Sequence, residues 1–350
     1  MQAIPLVHTT RGYLSNGAVG SADEGAVHVE NVHLGSAVVV DIRGNILWQA
    51  GDPHYPVFTR STLKPFQALP FMLDDGPARL GLDPAELALM CASHNAEDKH
   101  IAVVRGLLGK AGCDETHLQC GCHAPMFYEA LGKTPPADGK WSQVHHNCSG
   151  KHAGFLAWCR LHDVSFADYV DPAHPLQQRI RSMLSDLTGL EQKDLPMGMD
   201  GCSAPNFAMP LSRLAWLYAR LAQGSNDAKY GAAMGDLRDA MVARPDLVSG
   251  ENRSDLYYMQ AGGGDWVTKV GADGVQLIGI RSRGIGIAVK IVDGNNRAAQ
   301  TATVSALSQL GLLQGEGRAL LERYGRIPLI NAAGRNVGDV EATYSLEKIA

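Results

Sequence analysis

Four kinds of feature are missing from this 350-residue sequence. No apolar run approaches the roughly 20 residues that a helix needs to cross a bilayer. The opening "MQAIPLVHTTRGYLSNG" has no charged segment leading into an apolar core, so a secretion signal is not expected and a cytoplasmic location is. There is no basic block, and the net charge is −5, from 31 Lys and Arg against 36 Asp and Glu. That balance excludes nucleic acid and anionic membrane surfaces as expected partners. The cysteines form no paired framework: there are seven, an odd number, scattered from Cys91 to Cys202. Reduced thiols are the expectation.

What is present reads as an ordinary soluble chain, 45% hydrophobic and 19% charged, with Gly 39 as a mild excess. Its length allows one large domain or two closely joined lobes. "SAVVVDIRGNILWQAGD" (36–52) carries two β-branched runs around Arg43-Gly44-Asn45, a hairpin pattern. "PAELALMCASHN", "KHIAVVRGLLGKAG", "AHPLQQRIRSMLSDLTG" and "PLSRLAWLYARLAQG" have helical periodicity. "DWVTKVGADGVQLIGIRSRGIGIAVKIVDGNN" (265–296) predicts three antiparallel strands, with a helix following in "RAAQTATVSALSQLGLL". The expected class is therefore α/β of the α+β kind, a single domain over 1–350. Its antiparallel sheet comes from both chain ends, about 25–55 and 265–293, and a mainly helical lobe spans about 70–245.

The stretch "FTRSTLKPFQALP" (58–70) sets Ser61 three residues before Lys64. On a helix these share a face, and a partly buried lysine can take the proton of a serine hydroxyl. Alone the motif is weak, because Ser345 and Lys348 repeat it with no sign of chemistry. Two further stretches strengthen it: Ser93-His94-Asn95 has the form Ser-x-Asn, and Lys269-Val270-Gly271 the form Lys-x-Gly in a predicted strand. The ordered set is that of the serine penicillin-recognising enzymes. Pro65 lacks an N–H and places Ser61 close to a helix start, where free N–H groups suit a developing oxyanion. Lys110-Ala111-Gly112 is a second Lys-x-Gly, but it ends a helical pattern.

A second group lies in "HHNCSGKHAGFLA" (145–157) and "GMDGCSAPNFAMPL" (198–211). Cys148, Lys151, His152, Asp200 and Cys202 are candidates to converge, either as an open zinc site or as buried, inert thiols. "QCGCHAP" (119–125) offers Cys120, Cys122 and His123 as a rival metal site, read instead as a turn with thiols because no second half is spaced for a closed zinc. The doublet His145-His146 is given no role.

Together, "DPHYPVFTRSTLKPFQALP", "CASHNAEDKH", "HNCSGKHAGFLA" and "GMDGCSAPNFAMPLSRLA" resemble the bacterial asparaginase II family of the rhizobial type, over nearly the whole chain. The resemblance implies a serine β-lactamase/glutaminase-like fold, hydrolysis of L-asparagine to L-aspartate and ammonia, and a homodimer. It implies a zinc ion on Cys148, Lys151 and Cys202. It also implies catalytic roles for Ser61, Lys64, Ser93 and Lys269, with Arg60, Asn95, His152 and Asp200 at the substrate. The expected mechanism is acyl transfer through two pairs, Ser61–Lys64 and Ser93–Lys269, with Arg60 repelling the charge on its neighbouring lysine. The alternatives are a penicillin-recognising serine acyl enzyme, a zinc-dependent amidohydrolase and a zinc-stabilised binding protein.

Overall fold

The computed structural model describes residues 2–12, 27–224 and 227–349. Twelve strands are described: β1 Ile4–Gly12, β2 Val27–Asp41, β3 Ile46–Ala50, β4 Pro56–Phe58, β5 Met197–Met199, β6 Pro205–Pro210, β7 Trp266–Gly271, β8 Val275–Ile280, β9 Ile285–Ile291, β10 Ile327–Ile330, β11 Asn336–Ala342 and β12 Glu347–Lys348. Nine of them form one antiparallel sheet in the order β10-β11-β1-β2-β9-β8-β7, with β3 also on β2 and β12 on β3. The remaining three make a small sheet, β4-β6-β5.

The hairpin expected at 36–52 is β2–β3, closed by the Asp41 carboxylate, which accepts from the N–H groups of Arg43 and Asn45 at 2.8 and 2.9 Å. The three strands expected in 265–296 are β7, β8 and β9, and the helix after them is Asn296–Gln309. Positions 25 and 26 of the expected sheet lie outside the described residues. The sheet is wider than its sequence pattern, since β1, β10, β11 and β12 join it. "CASHN" does not continue a helix: that helix is Pro84–Met90, and the chain leaves it so that the N–H of Ser93 can bond the Val248 carbonyl at 2.8 Å.

Alternation along β2 sends neighbouring side chains to opposite layers. Val38 and Val40 enter the large core shared with the helical lobe, whereas Ala37 and Val39 face the layer that holds the helix Asn296–Gln309. On the lobe side, the helix Leu211–Gln223 lies directly on β8 and β9. Gly279 and Gly286 face each other across that strand pair. A Cβ on Gly279 would meet the Tyr218 carbonyl oxygen at 2.2 Å, and one on Gly286 the Ala215 carbonyl oxygen at 1.8 Å. This rung has no side chains because helix backbone occupies their place.

Gly286→Ala is expected to destabilise the fold by about 3 kcal/mol, since the obstructing atom is backbone and cannot swing aside. Gly12→Ala, with no atom of the described residues within 4 Å of the added methyl, is expected to stay within about 0.5 kcal/mol of the parent. Denaturant melts of the two variants make the check.

Candidate active site

Ser61 lies on a 3₁₀ turn, Arg60–Leu63, that runs into the helix Lys64–Leu73 with Pro65 in its first turn. Arg60, just before it, has φ +47°, a left-handed conformation that costs an L-residue energy. The turn is held from outside. The Asn206 side-chain oxygen accepts from the Arg60 N–H at 3.0 Å and from the Thr59 hydroxyl at 2.9 Å, and the Tyr218 hydroxyl donates to the Thr62 carbonyl at 2.8 Å. Ser61 itself is half-buried and faces a cleft of about 650 Å³ lined also by Arg60, Cys148, Asp200, Cys202 and Ala272.

Beneath Ser61 the chain buries two amines. Lys64 is 1% exposed, and its Nζ donates to Ser93 Oγ at 2.9 Å and to the Ala92 carbonyl. Ser93 is 3% exposed and does not line the cleft. Lys269, on β7, has no exposure; its Nζ donates to Asp255 Oδ2 at 3.2 Å and to the Val270 carbonyl at 3.0 Å. Burial pulls the Lys269 pKa down to about 8, helped by the charge of Lys64 and resisted by Asp255. The pairing differs from the one expected. Lys64 is bonded to Ser93 and Lys269 to Asp255, and among the described residues no hydrogen bond joins Ser61 to Lys64 or Ser93 to Lys269.

Asp255 was absent from the sequence reading. It opens the helix Ser254–Ala261, is fully buried, and also accepts from Thr268 Oγ1 at 3.0 Å, the Val270 N–H at 2.9 Å and Gln276 Nε2 at 3.3 Å. The signal for it was indirect: a lysine in a strand with apolar neighbours on both sides needs a buried carboxylate somewhere.

The cysteines and Lys151 converge on the cleft wall. Cys148 precedes the helix Ser149–His162, Lys151 lies in its first turn, and Cys202 sits in the turn from β5 to β6. Lys151 Nζ donates to Cys202 Sγ at 2.9 Å. The neighbouring Cys148 thiol and the Lys151 charge hold Cys202 below the ordinary thiol pKa. Cys148, whose thiol donates to Asn147 Oδ1 at 3.2 Å, is pushed up by Cys202 and by burial. Burial opposes the Lys151 ammonium, but Cys202 and Cys148 outweigh it and its pKa lies above the usual value. Two sulfurs and an amine suit a three-donor zinc site with an open fourth position. His152 Nε2, buried against Cys202 with no hydrogen-bond partner, fits a site built to hold something more. No group of three or more His, Cys, Asp or Glu able to hold a metal exists among the described residues; the third candidate donor beside the two cysteines is a lysine.

Of the residues expected at the substrate, Arg60 and Asp200 line the cleft and Asn95 and His152 do not. Arg60 does not face Lys64: its Nε donates to Asp200 Oδ1 at 2.9 Å and its Nη1 pairs with Asp273, so its charge is spent on two carboxylates. Asn95 is turned away from the cleft, its amide nitrogen held by Glu97 Oε1 at 3.0 Å and the Glu251 carbonyl at 2.9 Å. His152 is fully buried behind the cleft wall, with Nδ1 2.8 Å from the Tyr169 hydroxyl, and burial keeps its pKa low. Asp200 does line the cleft. The rival cysteines make no cluster: Cys120 and Cys122 bond the carbonyls of Gln143 and Ser142, and both nitrogens of His123 are taken by Ala124 and Asn147. All seven cysteines are free.

A search of curated proteins found no match. Among solved structures, a β-lactamase from Mycobacterium bovis is similar at 14% identity over 83% of this chain and 94% of that one, with a TM-score of 0.40. A penicillin-binding protein homolog from Caulobacter crescentus is similar at 15% identity over 75% and 87%, with a TM-score of 0.41. At those scores nothing about activity follows from either likeness. The sequence model described as L-asparaginase II matches residues 25–342, and the chain therefore belongs to that family of amidohydrolases.

Proposed function

We propose that the protein hydrolyses the side-chain amide of L-asparagine through an aspartyl ester on Ser61. The observation that carries this reading is a cleft-facing serine set over a buried amine–hydroxyl pair, Lys64 Nζ to Ser93 Oγ at 2.9 Å. Ser61, not Ser93, is the nucleophile because it alone of the two reaches the cleft.

Ser61 Oγ attacks the amide carbon and its proton passes to the Lys64 amine. The Ser61 N–H at the helix entry is a donor for the oxyanion, since those of Arg60, Thr62 and Lys64 are bonded within the protein. The proton then passes from Lys64, whose amine Ser93 Oγ holds in place, to the amide nitrogen, the C–N bond breaks, and ammonia leaves. Water attacks the ester carbon, giving its proton through Lys64 to Ser61 Oγ and releasing L-aspartate. Lys269 supplies positive charge and a reserve proton below this relay, and Asp255 fixes it there. Asp200 receives the α-amino group of the substrate. Cys148, Lys151 and Cys202 hold zinc, which when bound supplies a positive charge for orienting the substrate's polar groups.

Ammonia release measured side by side with L-asparagine, L-glutamine and a β-lactam tests the reading. Release from asparagine is expected, with a fall of at least about 10³-fold in Ser61→Ala. A stable β-lactam adduct on Ser61 with no ammonia from asparagine would move the protein to the penicillin-recognising class. Mass spectra of quenched enzyme should show the adduct on Ser61; its survival in Ser61→Ala and loss in Ser93→Ala would reverse the assignment.

The pH profile carries a second test. Lys269 works protonated, so activity should decline as pH rises through about 8, where it loses its proton. Asp255→Asn removes the group that holds that proton against burial, Lys64 and Arg253, so the alkaline limb should move to lower pH. An unmoved limb would detach Lys269 from the chemistry. For the metal, elemental analysis should find one zinc per chain, and Cys202→Ser should lose it.

A further inference from the structure

His123 and His146 pack against each other on the cleft wall, ring centroids 4.4 Å apart and planes tilted by 55°, and their nitrogens are used differently. His123 has none to spare: Nε2 accepts from the Asn147 N–H at 3.1 Å, which leaves Nδ1 to donate to the Ala124 carbonyl at 2.7 Å. His146 Nδ1 accepts from the Cys148 N–H at 3.0 Å. A nitrogen that accepts keeps its lone pair, so the hydrogen of the neutral ring is on Nε2. Nε2 has no protein hydrogen-bond partner among the described residues, yet it is not one of the chain's buried orphan atoms. His146 is only 8% exposed and lines the cleft, so Nε2 is the ring nitrogen left to meet cleft space.

The result is a fixed donor: its tautomer is set by the backbone and its plane by His123. It can recognise only an acceptor. Within the amidohydrolase reading, on which this step rests, the substrate brings two acceptors, the amide carbonyl and the α-carboxylate. The carbonyl must sit over Ser61. The Arg60 guanidinium, which lines the cleft, already serves Asp200 and Asp273, and Lys133, also on the lining, is an exposed, unanchored side chain. We infer that the His146 Nε2–H is a substrate-binding donor for the α-carboxylate of the amino-acid substrate.

The test compares the parent protein, His146→Phe and His146→Gln by calorimetric titration with L-aspartate and with β-alanine, which is L-aspartate without its α-carboxylate, and by steady-state turnover of L-asparagine. In the Phe variant L-aspartate binding should weaken and KM should rise by at least about tenfold, the scale of one hydrogen bond to a charged group, with kcat within about threefold. The Gln variant, which keeps an N–H donor, should recover part of the loss, and β-alanine should bind all three proteins alike. Unchanged L-aspartate binding in the Phe variant overturns the inference. So does equal weakening of both ligands, a fall in kcat without a change in KM, or loss of bound zinc in step with affinity. A parent protein that neither binds L-aspartate nor releases ammonia from asparagine would instead overturn the amidohydrolase reading, and the inference with it.

Discussion

Two lysine amines lie out of water beneath one serine, and an ammonium there needs a partner. Removing an ion of that size from solvent costs several kcal/mol even after the protein relaxes around it. Asp255 answers for Lys269, and it does so with its own desolvation met by Thr268, Val270 and Gln276. Lys64 meets only uncharged oxygens, those of Ala92 and Ser93. The two amines thus have different surroundings, one ionic and one not. In the proposed mechanism that difference lets one act as a standing charge while the other trades protons. It also explains why β7 and the helix Ser254–Ala261 must dock tightly, since the carboxylate and the amine that need each other sit on different elements.

The wall that carries Cys148, Lys151 and Cys202 follows another logic. Cys202 and Lys151 form a thiolate–ammonium contact inside the protein, and the Cys148 thiol supports the same sulfur. Such a cluster is tolerable only because opposite charges are in contact. A cation entering there would displace protons from the amine and from the second thiol, so affinity for a metal would rise with pH.

Much of the site was legible in the sequence because its residues sit in short blocks of unusual composition. Ser61, Lys64 and Pro65 announce a helix entry, and glycine and proline around Cys148 and Cys202 announce turns. What was not legible depends on distances across the fold. Spacing showed that Ser61 and Lys64 share a face, but the lysine's chain length and the position of Ser93 send its amine past Ser61 to the second hydroxyl. Arg60 adjoins Lys64 along the chain, yet its left-handed backbone turns the guanidinium to Asp200 and Asp273. Asn95 fits a motif pattern, but Glu97 and Glu251 capture its amide. In the fold, the hairpin and β7–β9 stood out through turn residues and alternation. β10 and β12 did not, because they are only four and two residues long; β11 did not, because Val340 is the one buried residue of its seven and no alternation marks it.

The side-chain-free rung of Gly279 and Gly286 has a reach beyond packing. The helix resting on it carries Tyr218, whose carbonyl touches Gly279 and whose hydroxyl grips Thr62, the residue after Ser61. Sheet, helix and reactive turn are therefore joined by rigid contacts with no slack between them. Two absent methyl groups act as a depth stop, setting how high the serine rides above the strands, and a change as small as one carbon under the helix would be felt at the hydroxyl.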